Sequence, residues 1–388
     1  DYTISNLSFD GGVSDNQGLF STFATGAEVR DLTFSSCSVT GDDFIGILVG
    51  FATGVDTVKV SDVNFVDCTV SGDNGVGCAL GTALNGEGWQ FWRCSVTGAT
   101  NVTGTGMAIG ALIGRLSSAS GDITINMVVD CYSESTGEIE GDQAGGLLGE
   151  VSGGQVATND ELEVHTCYST GTISREVSGD IGSGGLIGIA DAVNITTCYS
   201  TGETTSLSAA NDSHAVGGFI GFSAGYNTII NCYSTGDVTA HGNLSRVGGF
   251  CGKCDTAYTT FTRCYSTGDV SGLEGATSTW GYYAVGSFVG SLEDPTASPN
   301  NGLFERCWAT GDLTLFEGDT ADGDYGGAGG FVGNISRVPP IIRNCYSWSS
   351  LTMTDGAVEV GLGGFMGALT DVSGLNITAD ATILNCYT

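Results

Sequence analysis

Proline is scarce in this sequence, four in 388 residues, while glycine is abundant at 64. The balance suits tight turns between short strands, and the missing Gly-X-Y period excludes a collagen-like chain. Basic residues are also few. Eleven Lys and Arg stand against 43 Asp and Glu, a formal charge of −32. Such a surface repels nucleic acid and anionic membranes and attracts cations. No run of about 18 apolar residues exists, which excludes a membrane-spanning helix. The three histidines, His165, His214 and His241, lie in different repeats, so no Ser/His/Asp or Cys/His grouping can be assembled. No 3.6-residue apolar period interrupts the chain, while strand-favouring Val, Ile, Thr, Phe and Tyr are plentiful.

What the sequence has is repetition. Eleven cysteines each close a strand-like phrase: Cys37, Cys68, Cys94, Cys131, Cys167, Cys198, Cys232, Cys264, Cys307, Cys345 and Cys386, spaced 26 to 43 residues apart. From Cys131 onward the phrase is nearly fixed, as in NCYSTGDV at Asn231–Val238 and RCYSTGDV at Arg263–Val270. Before each comes a glycine-bracketed apolar strand, such as GGLIG at Gly184–Gly188 or GGFIG at Gly217–Gly221. A period in this range marks a stack of supersecondary units. The expectation is an all-β, right-handed parallel β-helix of about eleven coils, each with three short strands. It forms a single domain over residues 1–388, with degenerate repeats in 1–105 and regular ones in 106–388.

Aligned columns predict which side chains face inward. Three residues before the cysteines stand Phe34, Phe65, Phe91 and Val128, and apolar residues continue to Ile383. The position just before the cysteine is always polar, from Ser36, Asp67, Arg93 and Asp130 to Asn385. In a flat strand these columns share a face, so a bend at a coil corner is expected between them. In the first three repeats a small residue and Val follow the cysteine; later a large aromatic and a small residue do. The glycine of the following Thr-Gly-acid run is expected to turn the chain with positive φ.

The GGxxG strand paired with the NCYSTG phrase resembles the GLUG repeat, a motif of bacterial surface adhesins and some secreted peptidases. The resemblance is best over Gly145–Thr388 and weaker over Gly46–Ile139. It implies a surface-exposed, adhesin-like or spacer solenoid, and it brings no catalytic residue set to transfer, so no enzymatic activity is expected.

Seven Asn-X-Ser/Thr sequons are candidate glycosylation sites: Asn6, Asn101, Asn194, Asn211, Asn243, Asn334 and Asn376. With the cysteine count they point to an extracellular or cell-surface location. Asp1 rather than Met opens the chain, which suggests a removed targeting segment. The cysteine ladder leaves two readings, reduced buried thiols or disulfides between neighbouring rungs. Cys251 and Cys254 are a possible local disulfide. No cofactor or metal site is expected, although stacked acids after the turn glycine (Asp42, Asp73, Glu138, Glu203, Asp237, Asp269, Asp312) make calcium a candidate ligand. Arg93, falling between Asp67 and Asp130, is expected to pair along its column.

The leading functional expectation is a glycosylated rod or filament subunit whose partners are copies of itself, end to end. The alternative is an adhesin or carbohydrate-binding module. It would hold glycans or cell-surface polysaccharide at Trp280, Tyr282 and Tyr283, or along Tyr132, Tyr168, Tyr199, Tyr233 and Tyr265. A third reading, a polysaccharide-active enzyme, rests only on Arg263, Arg306 and Arg343 in successive rungs.

Overall fold

The computed structural model describes residues 2–118, 125–153, 162–175, 182–206, 214–241, 246–255, 259–273, 284–293, 302–315, 326–336, 340–353, 360–370 and 382–388. Among these residues no helix occurs, and every pairing between named strands is parallel and joins one turn of the coil to the next. One regular turn runs Ala215–Gly217, Ile220–Ala224, Thr228–Ile230, Tyr233–Ser234, Val238–His241. Its partners one turn on lie in register: Val216 with Val247, Ile220 with Cys251, Ile229 with Phe261, Tyr233 with Tyr265 and Val238 with Val270. The fold is a parallel β-solenoid.

A regular turn therefore holds five short strands rather than the three expected. They are distributed over four sheets of 20, 11, 8 and 10 strands, the largest taking two strands from each regular turn. The extra breaks come from corners that split the glycine strand and the cysteine strand in two, while the third strand stays whole. The turns number about nine, slightly fewer than eleven. Around Cys37 only the isolated bridge Phe20–Val49 stands in for the glycine strand, and after Cys386 the described chain adds no further strand.

The expected bend before the cysteine is present. Arg93, Asp130, Thr166, Thr197, Asn231, Arg263, Arg306, Asn344 and Asn385 all sit in the left-handed region, with φ between 51° and 57°. One left-handed residue shifts the side-chain alternation, which places both an apolar residue and a cysteine inside. The turn glycines behave otherwise. Gly202, Gly236, Gly268 and Gly311 lack positive φ. They are required because a Cβ on any of them would collide with the carbonyl oxygen of the equivalent glycine one turn back, as Gly236 shows against Gly202. Close approach of backbones, not handedness, selects glycine here.

The cysteines do not form one column. Asp31 and Asp62 (φ 56° and 54°) occupy the corner that Arg93 and Asp130 use later, so Leu32 and Val63 precede Cys94 in its column. Cys37 and Cys68 belong to the next corner, where Ser36 and Asp67 are left-handed. Cys68 there lies beside Thr100, whose Oγ1 accepts its N–H at 3.1 Å. Nine cysteines, Cys94 to Cys386, make the long ladder. The apolar column before the cysteines divides the same way. Val60 pairs with Phe91, whereas Phe34 and Phe65 align with Val96 and then Ser133.

That second column sets the width of the coil. It reads Phe34, Phe65, Val96, then Ser133, Ser169, Ser200, Ser234, Ser266, Ala309, Ser347. Where serine replaces phenylalanine the opposite wall closes in: Ser266 Oγ donates to the Ser287 carbonyl at 2.5 Å and Ser347 Oγ to the Gly330 carbonyl at 2.6 Å. The facing volume is filled by Phe219, Phe250, Phe288, Phe331 and Phe365, stacked 4.7 to 4.9 Å apart. Phe261 and Phe304 meet this stack edge-on, at 78° to 83°, the geometry that ring quadrupoles favour.

Buried hydroxyls without a partner occur singly at Ser133, Ser169 and Ser234, and three gather in one turn. Ser183, Thr204 and Ser206 are fully buried, and none of their hydroxyls has a partner. Their neighbours in register are apolar, Ile173 before Thr204 and Val238 after it, with Val216 after Ser183.

Candidate functional site

The residue after each cysteine of the long ladder, from Cys131 on, is aromatic and points outward. Tyr132, Tyr168, Tyr199, Tyr233 and Tyr265 stack with ring centroids 4.8 to 4.9 Å apart and planes within 5° of parallel. Trp308 continues the ladder at 4.3 Å from Tyr265, followed by Tyr346 at 5.8 Å and Tyr387 at 5.3 Å. Eight rings thus form one unbroken stripe. In the earlier turns the same column holds Thr33, Asn64 and Ser95, so the stripe covers the later turns only.

Because the rings stack along the coil axis, each face is covered by its neighbours and the edges and hydroxyls remain outward. Two residues further on, Thr170, Thr201, Thr235 and Thr310 are exposed, a hydroxyl column beside the aromatic one. Glu134 takes the threonine place in its turn, since Ser133 pairs with Ser169. There its carboxylate accepts the Tyr168 hydroxyl at 2.7 Å. Desolvation, then the Glu134 charge, raises the Tyr168 phenol above its usual range.

Comparison with known families finds the GLUG motif matched over residues 212–239, a span that contains Cys232 and Tyr233. The chain carries the GLUG motif. No curated protein matches it. It is similar to a solved structure from Bacteroides ovatus described as a "putative immunoglobulin A1 protease", with 17% identity. The match covers 95% of this chain and 77% of that one, at a TM-score of 0.37.

Along the repeats the cysteines are free thiols, all buried except the half-buried Cys386. They hydrogen-bond to backbone: Cys131 Sγ reaches the Val129 carbonyl at 3.3 Å and that of Phe91, one turn back, at 3.5 Å. Burial pushes the thiols of Cys131, Cys167 and Cys198 well above their ordinary value. Cys251 and Cys254 are also free and buried, not paired. Three residues apart in the extended strand Cys251–Asp255, they sit roughly 10 Å apart, beyond disulfide reach.

The acids after the turn serve the backbone. Asp237 Oδ1 accepts the Asp269 N–H, Asp269 Oδ1 the Asp312 N–H, and Asp312 Oδ1 the Ser350 N–H, each at 2.9 Å. Among the described residues Asp42, Asp43 and Asp73 bring their carboxylates within 4.8 Å of one another, and Asp73 also accepts the Thr105 hydroxyl at 2.5 Å. Arg93 pairs along its column, but with Asp62 rather than with Asp67. It forks onto Asp62 at 2.6 and 2.7 Å, because Asp67 stands at the other corner and caps the Ala99 N–H. Arg263 donates to Asn231 at 2.6 Å and Arg343, which stands in the column of Glu305, donates to it at 3.0 Å, so two of the three arginines are engaged with neighbouring turns.

The sequons divide by accessibility. Asn6 is exposed, Asn101 and Asn194 are half-buried, and Asn334 is 5% exposed inside Val332–Ser336, a poor glycan acceptor. Asn211, Asn243 and Asn376, with Trp280, Tyr282 and Tyr283, lie outside the described residues. Sequence reasoning missed Trp308, Tyr346 and Tyr387 as ladder members, although each directly follows a cysteine of the series. It also missed the buried amides Asn126 and Asn227. Their Oδ1 atoms accept the Trp89 and Val193 N–H groups of the preceding turn at 2.8 and 2.9 Å.

Proposed function

We propose that this chain is an extracellular or cell-surface structural repeat protein, a rod segment that spaces and displays what it carries. The observation behind this reading is the uniformity of the stack, in which backbone pairing from turn to turn is the same operation throughout. At roughly 4.8 Å per rung the described turns extend about 40 Å. Because every turn offers the same parallel edge, copies can stack end to end by the pairing already used within the chain, a heterologous contact that propagates. Electron micrographs of the purified protein across a concentration series test this. Rods growing in unit steps are expected, and monodisperse short particles at every concentration reject assembly.

The aromatic ladder favours a second reading, a glycan-binding surface. Apart from Glu134, the stripe of phenol and threonine hydroxyls is uncharged on a strongly acidic protein, which suits a neutral polysaccharide. Sugars would meet ring edges and hydroxyls rather than ring faces, so binding would be weak per turn and would grow with glycan length. A glycan array with neutral chains of increasing length, with and without calcium, checks it, and a flat response removes this reading.

A further inference from the structure

We propose that the aromatic ladder is a relay for one-electron oxidation that drains to Tyr168, where the departing phenolic proton passes to Glu134. The relay is built from Trp308, Tyr265, Tyr233, Tyr199 and Tyr168, in contact at 4.3, 4.9, 4.9 and 4.8 Å with planes within 5° of parallel. Contacts this short let an electron vacancy pass from ring to ring. A phenol gives up an electron readily only when its proton leaves as well, and along the ladder that proton must go to water. Among the described residues, Tyr168 alone of these rings donates to a carboxylate, Glu134 at 2.7 Å. The oxidised state therefore settles there.

The balance closes with one external reactant, a diffusible one-electron oxidant. The oxidant gains one electron, Tyr168 becomes a neutral tyrosyl radical, and the Glu134 carboxylate becomes a carboxylic acid. No bond between heavy atoms forms or breaks. The arrangement also bears on the thiols. Each ladder ring from Tyr132 to Tyr346 follows a buried free cysteine in the chain, so an oxidant arriving from solvent meets the aromatic stripe before the sulfur column. The ladder is then a sink that spares Cys131 to Cys345, and its terminus is a specific modification site.

The test exposes the whole protein to photogenerated tris-bipyridine ruthenium(III) and maps tyrosine and tryptophan oxidation by peptide mass spectrometry. Two variants accompany it, with melting curves to verify folding. Tyr233→Phe keeps the stacked ring and removes the oxidisable phenol; Glu134→Gln keeps an acceptor oxygen that cannot take the proton. In the unmodified protein, products should concentrate at Tyr168 well beyond its share of exposed tyrosine surface. Glu134→Gln should lower that share several-fold, and Tyr233→Phe should move products to Tyr265 and Trp308. Products that track solvent exposure alike in all three proteins overturn the proposal. So does an unchanged distribution in Tyr233→Phe, which would make Tyr168 a locally reactive residue without a relay.

Discussion

The first turns and the later ones solve one problem, how to fill a coil, with opposite means. Up to about Val96 the column facing the glycine strand is large, with Phe34 and Phe65 stacked 5.2 Å apart, and the corner after it is left-handed at Asn6, Ser36, Asp67 and Gly98. From Ser133 on, that column is serine except for Ala309; the hydroxyls of Ser200, Ser266 and Ser347 reach across to glycine-strand carbonyls, and the corner is a close-packed glycine at Gly202, Gly236, Gly268 and Gly311. The outward face changes in step, from Thr33, Asn64 and Ser95 to eight stacked rings. Bulk removed from inside the coil thus reappears on its surface, and one backbone path accommodates both arrangements.

The largest effect should separate the two regions directly. Phe65→Ala is expected to cost about 3–5 kcal/mol by leaving a cavity in a fully buried stack, measured by urea unfolding. If the loss is as small as for a surface change, the wide-coil description fails. Next come the corners. Gly236→Ala drives a methyl onto the Gly202 carbonyl and should cost about 1–3 kcal/mol. Ser36→Gly relieves a left-handed serine and should be neutral or gain up to about 1 kcal/mol. A loss in Gly236→Ala with no loss in Ser36→Gly in the same assay is the required outcome.

In the later turns Tyr199→Leu removes two ring contacts and should cost about 1–3 kcal/mol, read from the same unfolding curves. Thiol titration is milder. In native protein a charged alkylating reagent should label Cys386 ahead of all others, since it alone is not buried, and all fourteen cysteines should react only after unfolding. The smallest effect is electrostatic. Desolvation raises the Asp191 carboxyl above its ordinary value. With the folded pKa above the unfolded one, the ionised group costs stability at neutral pH, and the cost fades as pH falls through the raised value. Asp191→Asn should therefore raise Tm slightly at neutral pH and lose that advantage in acid.

The repeat, the strand class and the bent corner were legible because glycine, cysteine and the apolar residue before it recur in order. The column assignment of Cys37 and Cys68 was not, since Phe-Ser-Ser-Cys and Phe-Trp-Arg-Cys look alike although one marks the second corner and the other the first. Spacing carried the missing signal. Nine residues separate Cys37 from Gly46 and Cys68 from Gly77, against fourteen from Cys131 to Gly145. The turn glycine misled for another reason, because local patterns suggest handedness while the actual constraint is a carbonyl one turn away. Of the site, five tyrosines were foreseen. Glu134 was not, because the two extra residues in Ser133–Gly137 place an acid where other turns have threonine.

The layer of Ser183, Thr204 and Ser206 gives the rod a place to yield. Each buried hydroxyl without a partner forgoes on the order of 1–3 kcal/mol, and three fall in this turn, between the Ile173 and Val238 turns, against one in each of the turns of Ser133, Ser169 and Ser234. Pulled along its axis, the solenoid should not unzip at random. It should part first at this hydroxyl plane, where water entering the gap satisfies the groups that folding left unmet, so that two shorter lengths of stack survive the break.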